Sequence, residues 1–268
     1  MQSVIIDIPY NYKDTFKLYP FGDLHYGTKH CSEDKAREKI REIASEKNSF
    51  WVGMGDMGEF ITPSDPRWDF GVIKDVVKPD NIAYELERGI VNILSPIKNT
   101  CLGMMEGNHE EAIRRHNHND VHANICEKLG VTNLGFSSFI KLRFKRNNSN
   151  EVHDIDCFFT HGAGWAITAG SKMNRLLRMM HSFHATIYGV GHMHDIIISP
   201  DVPYLTTNDA GKIVQKVKKG AITGSWFTTY TEGAEASYGE RRNYPPTSIG
   251  CPVFIIKPQT QNVSAVSE

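Results

Sequence analysis

The sequence predicts an α/β fold. Two observations lead there. Short apolar or β-branched runs recur, each ending in Gly or a small residue with an Asp, Asn or His close behind, and amphipathic helical stretches lie between them. Strands that alternate with helices build α/β sheets, and in such sheets reactive groups gather where strands end and loops begin.

Taken in order, Phe16 to Phe21 is the first such run and leads into Gly22-Asp23-Leu24-His25. Ser32 is the expected N-cap of a helix reaching about Glu46, with Ala36, Ile40, Ile43 and Ala44 on one face. Phe50 to Met54 leads to Gly55-Asp56. Pro79 suits the first turn of a second helix, with Ile82, Leu86, Ile90 and Ile93 facing inward. Cys101 to Met105 leads to Glu106-Gly107-Asn108-His109-Glu110, and a third helix runs from about Val121 to Leu129 and stops at Gly130. Cys157 to Thr160 leads to His161-Gly162, and Ala185 to Val190 to Gly191-His192-Met193-His194. Beyond that, Ile196 to Ile198, a turn around Asn208-Asp209-Ala210-Gly211, Lys212 to Lys218 and Val253 to Ile256 read as antiparallel strands completing a second sheet. Tyr230 to Arg242, rich in Gly, Tyr and Arg, reads as a long loop. With no repeat, low-complexity tract or Gly/Ser/Pro linker, residues 1–268 are expected to form one domain.

Composition narrows the class. Apolar residues make up 40% of the chain and charged residues 23%, which excludes a disordered, collagen-like or supercharged protein. A formal charge of -1 means that affinity for nucleic acid would come from a local patch. No basic n-region with a long apolar run opens the chain, and no stretch of about eighteen apolar residues occurs, so neither export nor a membrane partner is expected. The five cysteines are odd in number and form no Cys-x-x-Cys pair, which fits a reducing, cytoplasmic setting. The unusual count is twelve histidines.

Asp23, His25, Asp56, Asn108, His109, His161, His192 and His194 all follow strand ends. They offer carboxylate oxygen, amide oxygen and imidazole nitrogen without thiolate, a mixture suited to Mn²⁺, Fe or Zn²⁺ and less to Mg²⁺ or Ca²⁺. There are more donors than one four- to six-coordinate ion uses, so two ions are more economical. A carboxylate can bridge two cations, and a pair about 3.5–4 Å apart clamps the attacking and leaving oxygens of a phosphoryl displacement.

Asp-x-His, Gly-Asp, Gly-Asn-His-Glu, an isolated His after a strand, and Gly-His-x-His occur in that order over residues 22–194. Any one alone says little; together they closely resemble the calcineurin-like metallophosphoesterase superfamily. The resemblance implies an α-β-β-α sandwich of two mixed β-sheets flanked by helices. It implies two divalent cations, with Mn²⁺ the first expectation and Fe or Zn²⁺ the alternatives. One would be held by Asp23, His25 and His194, the other by Asn108, His161 and His192, with Asp56 bridging and a bridging hydroxide attacking phosphorus. His109 would stabilise the transition state and protonate the leaving oxygen, and Glu110 would orient His109.

Plainer readings stand beside these. Asp23 and Asp56 can cap turns, Asn108 can be a turn residue, and a lone His after a strand is more often structural than a ligand. His116-Asn117-His118 lacks carboxylates. For contacts with the substrate phosphate the candidates are Arg114, Arg175 and Arg241; Lys172, Arg175 and Arg178, at i, i+3 and i+6, suggest one basic helical face, with a solvated face as the equal alternative.

Met57-Gly58-Glu59 follows Asp56 where protein Ser/Thr phosphatases of the superfamily carry Asp-Arg-Gly, so the resemblance is to the diesterase and DNA-repair-exonuclease-like branch. The expected activity is phosphodiester hydrolysis, with DNA or RNA among the substrates. Alternatives are a phosphomonoesterase on a nucleotide or other small metabolite, and an inactive binding scaffold, disfavoured because no ligand is missing. Repair nucleases of the superfamily carry further domains; 74 residues follow His194 here and are needed for the second sheet, so no obligate ATPase partner is expected.

Overall fold

A computed structural model describes residues 1–268 except 64, 66, 67, 75, 76, 79, 80, 165, 209 and 268. Thirteen strands are described: β1 Gln2–Tyr10, β2 Phe16–Phe21, β3 Ser49–Gly53, β4 Cys101–Met105, β5 Asn133–Gly135, β6 Ser137–Arg146, β7 Val152–Thr160, β8 Ile187–Val190, β9 Ile196–Ile198, β10 Val202–Thr207, β11 Ile213–Thr223, β12 Pro252–Lys257 and β13 Asn262–Ser267. The helices are α1 Glu33–Ser45, α2 Ile82–Leu94, α3 Asn108–Asn117, α4 Val121–Leu129, α5 Ala169–Ser182 and the single turn α6 Tyr238–Arg241.

The strands form two mixed sheets. One runs β13-β12-β2-β3-β4-β5, and the other β1-β6-β7-β8-β11-β10 with β9 also on β11. Side-chain alternation along each strand stacks them. Phe16 and Leu18 of β2 join Val52, Leu142, Phe144, Phe159 and Phe254 in an apolar layer between the sheets. Tyr19 and Phe21, on the opposite face of β2, pack with Trp51 against Ile40, Ile90 and Ile125 of α1, α2 and α4. On the far side, Phe158 and Tyr188 meet Leu176 and Met180 of α5. The result is the expected four-layer α-β-β-α sandwich, with α1, α2, α3 and α4 outside one sheet and α5 outside the other.

Several expectations change in detail. Ser32 does precede α1, but its hydroxyl pairs with Thr228 Oγ1 at 2.7 Å instead of capping the helix. Ala36, Ile40 and Ile43 are buried, whereas Ala44 is exposed, one step past the inward stripe. Pro79 and Asp209 lie outside the described residues; the inward Ile82, Leu86, Ile90 and Ile93 of α2 are buried as expected. The strand at Val253–Ile256 does not complete the second sheet. It pairs antiparallel with β2, so the first sheet gains it, while β9 and β11 join the other. Local pattern sets a strand's faces but not its neighbour. β1 pairs in parallel with β6 along nine residues, and its buried positions, Ile8 and Tyr10, follow the period of two.

β2, β3, β4, β7 and β8 lie at or near the middle of their sheets, and each polar motif leaves the C-terminal end of one of them. Topology thus delivers five separate segments to one edge of the sandwich.

Candidate metal centre

Two glycines let the loops close. Gly55 has φ +90°, and a Cβ on it would lie 2.7 Å from both the Gly107 Cα and the His161 Nδ1. A Cβ on Gly107 would lie 2.2 Å from the Asp56 backbone N and Oδ1. The β3 and β4 loops therefore touch backbone to backbone, and any side chain there would push Asp56 away.

Between these loops the donors converge. Asp23, His25, Asp56 and His194 each present a ligand atom, all within 4.8 Å of one another, and Asp56, His161 and His192 form a second such group. Asn108 adds its Oδ1, 3.0 Å from His161 Nε2. Each group of residues can hold a metal ion. All seven sequence-predicted ligands are thus brought together, and Asp56 belongs to both groups.

The donor set fits cations. His25 Nδ1 faces Glu59 Oε2 at 2.8 Å, so that nitrogen carries the hydrogen and Nε2 keeps its lone pair. That Nε2 lies only 3.0 Å from His194 Nε2, a close approach of two basic nitrogens. His161 Nδ1 faces the Met54 carbonyl at 2.8 Å, which turns Nε2 toward the oxygens of Asn108 and Asp56, the latter at 3.3 Å. Asp23 Oδ2 is buried without a hydrogen-bond partner. A buried carboxylate oxygen without a partner is costly unless positive charge lies beside it. The backbone carries a matching cost: Asp23, His25, Asp56, His192 and His194 all have φ between 46° and 67°. Five non-glycine residues in the left-handed region, each at a donor position, are strain concentrated at a functional site.

Electrostatics agree. Burial lowers the His25 and His192 pKa values, and neighbouring imidazoles push the same way, so these rings are neutral and able to ligate near pH 7. Burial opposes charge on both Asp56 and His161. Their mutual attraction outweighs it, holding the Asp56 carboxyl well below the usual range and raising His161 to about 10, so without a cation His161 carries a proton that a metal ion would have to displace.

His109 is buried at the second position of α3, and its backbone N–H donates to Asp56 Oδ1 at 3.0 Å. Its Nδ1 faces the Glu59 carbonyl, and its ring meets His25 edge-on at 4.8 Å between centroids. Glu110 corrects an expectation. It does not hold His109; its carboxylate accepts the backbone N–H groups of Asp56, Met57, Gly58 and Gly107 at 3.0, 2.7, 3.3 and 3.0 Å. Burial and the Asp56 charge push its pKa up to about 7. Glu110 fixes the loop that carries Asp56. The carboxylate that acts on histidine is Glu59, which the sequence reading passed over; its signal was an acid three residues after a strand-end Asp.

A pocket of about 230 Å³ opens over the donors. Its described walls include His109, Ile167, Lys172, Tyr238, Tyr244 and Thr247. The three arginines expected at the phosphate are not in it. Arg114 is bidentate on Glu106 at 2.6 and 2.9 Å, Arg175 donates to the Ala163 carbonyl at 2.6 Å, and Arg241 pairs with Asp69 at 2.5 Å. Nor do Lys172, Arg175 and Arg178 present one basic face, because Lys172 is buried while Arg175 and Arg178 are exposed. Lys172 turns inward, buried, 3.2 Å from Asp195 Oδ2. Among the described residues, His116 and His118 belong to neither donor group, nor to the third one, His25, Glu59 and His109.

No family model matches this sequence, and no curated protein does either. Among solved structures, the crystal structure of a metallophosphoesterase from Sphaerobacter thermophilus is similar over 93% of this chain and 87% of that chain, at 13% identity and a TM-score of 0.42. No described helix is long and apolar enough to cross a membrane.

Proposed function

We propose that the chain is a dinuclear-metal phosphoesterase that hydrolyses phosphodiester bonds. Asp23, His25 and His194 would hold one cation, Asn108, His161 and His192 the other, and Asp56 both. The observation that carries this reading is the place of Asp56 in two donor groups at once. A shared carboxylate brings two cations to the separation of about 3.5–4 Å used for in-line displacement at phosphorus. Mn²⁺ suits the mixed nitrogen and oxygen donors, as do Fe and Zn²⁺.

Once bound, the cations would acidify water and neutralise charge on the phosphoryl oxygens. The protein's own groups do the rest. Glu59 and the Met54 carbonyl fix the tautomers of His25 and His161. With Nδ1 held at the Glu59 carbonyl, His109 uses Nε2 to pass a proton to the leaving oxygen. Lys172 lines the same pocket and steadies a phosphate oxygen.

Charge in the pocket favours a diester. Imidazoles aside, Lys172 is the sole cationic side chain among its described lining residues, and it already faces Asp195. A diester monoanion needs less compensation than a monoester near its dianion form. Ile167, Tyr244 and Pro245 supply apolar wall for a second ester arm.

The test is hydrolysis of bis(p-nitrophenyl) phosphate against p-nitrophenyl phosphate in Mn²⁺, with metal analysis of the purified protein. Faster diester turnover and two metals per chain are expected. A strong monoester preference would overturn the diesterase reading alone; one metal or fewer with no activity would overturn the whole. Single- and double-stranded DNA, RNA and cyclic nucleotides are the natural substrates to try next.

A further inference from the structure

Away from the donors, the wall of the metal-site pocket is aromatic. Phe227, Tyr238 and Tyr244 line it, and their rings form a ladder that starts at the metal ligands. The Phe227 centroid is 5.3 Å from His25 and 5.7 Å from His194; Tyr238 follows at 5.6 Å from Phe227, and Tyr244 at 6.4 Å from Tyr238. Phe227 is buried, whereas Tyr238 is 37% exposed and Tyr244 half-buried. The last two rings stand at 89° to each other. Such a corner lets a third ring lie flat on one and meet the edge of the other, the two arrangements that aromatic quadrupoles favour. Behind Phe227 and Tyr238 lies a second cavity, of about 240 Å³. Its lining holds the acids Glu59 and Asp69 and the cations Arg241 and Arg242, whereas the ring wall on the metal side is uncharged.

The strap of residues 227–247 holds this corner in place. Ser237, buried before α6, accepts the Glu240 N–H at 3.0 Å and donates to the Thr229 carbonyl at 2.7 Å. The Tyr244 N–H donates to the Gly239 carbonyl at 2.9 Å, and the Tyr230 hydroxyl donates to the Tyr244 carbonyl at 2.8 Å. Rings on a backbone fixed in this way lose little freedom when a ligand arrives. Space and charge limit what that ligand is. At about 230 Å³ the pocket is smaller than the roughly 300–1,000 Å³ of sites for drug-sized ligands, so a phosphate and one ring fill it. Beyond the metal donors and His109, its described lining residues carry no acid, and their one cation, Lys172, already faces Asp195. The neighbouring phosphates of a nucleic-acid strand call for further Lys or Arg, which this lining does not offer.

We propose that Tyr238 and Tyr244 are specificity residues that select a small diester with a single phosphate and a flat, uncharged aromatic arm. The arm stacks in the corner while the phosphate lies over the donors. This inference rests on the phosphoesterase reading and narrows it, setting an aryl arm against both an alkyl arm and a polynucleotide strand. The two tyrosines supply ring faces and take no part in the chemical step. A ring face tolerates sideways displacement, so a strap can present it where the donors need the tighter hold of strand ends.

Diesters of equal charge isolate the arm when they inhibit hydrolysis of bis(p-nitrophenyl) phosphate by the full chain in Mn²⁺. Diphenyl phosphate should compete with a Ki at least about tenfold below that of dibutyl phosphate, which is apolar and bulky but has no ring, and lower still than that of dimethyl phosphate. Tyr238→Ala should bring diphenyl phosphate to within about twofold of dibutyl phosphate. Tyr238→Phe keeps the ring and should keep the wild-type order. Thermal unfolding checks that each variant remains folded, and the wild-type comparison needs no variant. Equal Ki values for diphenyl and dibutyl phosphate would overturn the proposal and leave the phosphoesterase reading standing. So would an order unchanged in folded Tyr238→Ala, an order lost in folded Tyr238→Phe, or single-stranded DNA that inhibits more tightly per phosphate than diphenyl phosphate. No hydrolysis at all in Mn²⁺ would overturn both.

Discussion

The two cavities on either side of Phe227 are similar in volume and opposite in construction. The metal-side pocket is lined by donors from the ends of β2, β3, β4 and β8, with His161 from β7 in the cluster beneath. The other is formed by Phe60, Ile61, Trp68, Ile73 and Val77, by α2 and by the segment from Phe227 to Arg242. In the first, polar atoms converge on a point and the backbone is strained to aim them; in the second, largely apolar walls enclose a volume. The difference teaches where rigidity resides. Strand ends are fixed by their pairing, so they can hold six or seven donors in register, whereas loops enclose space without specifying points within it.

Substitutions can break or sharpen that contrast. The largest effect should come from Asp56→Asn, which removes charge from both donor groups at once; hydrolysis should fall about 10³-fold or more, with metal content falling in the same preparation. His109→Ala should cost about 10²–10⁴ in kcat on a substrate with a poor leaving group while metal content stays at wild type. If hydrolysis survives that change, the proton donor is another group, though the metal assignment stands. Glu59→Gln tests the carboxylate that lines the second cavity and holds His25: metal affinity should drop about 10–100-fold by titration, because His25 loses its orienting carboxylate. Metal that binds only the folded chain should raise the unfolding free energy by about 2.7 kcal/mol at a hundredfold excess over Kd. A Tm that neither Mn²⁺ nor a chelator moves would count against both donor groups. The smallest effect is expected for Arg114→Ala. The side chain lies in a partly buried ion pair outside the pocket, so activity should change less than about twofold and stability by about 1 kcal/mol.

The donor residues were legible in the sequence because the same local grammar recurs: an apolar run, a small residue, then a donor. The helices α1, α2 and α4 were legible from their inward stripes for the same kind of reason. Glu59 and Glu110 show where such reading ends. Both are acids just past a strand-end motif. Only the approach of the β3 and β4 loops makes one the partner of His25 and the other the acceptor of four backbone N–H groups. Arg114, Arg175 and Arg241 fail in the same way, since sequence shows a cation but not the Glu106, Ala163 or Asp69 that occupies it.

What the sequence determined by itself was the fold class, the identity of seven metal-ligand candidates and the buried faces of the main helices, because period and residue chemistry are properties of the local chain. Tertiary structure alone decided that β12 sits beside β2, that Asp56 belongs to both donor groups, that Lys172 is the lysine in the pocket, and that His30 meets Thr231. Each depends on contacts between segments far apart in sequence, and those are set by sheet pairing and packing, which no local pattern encodes.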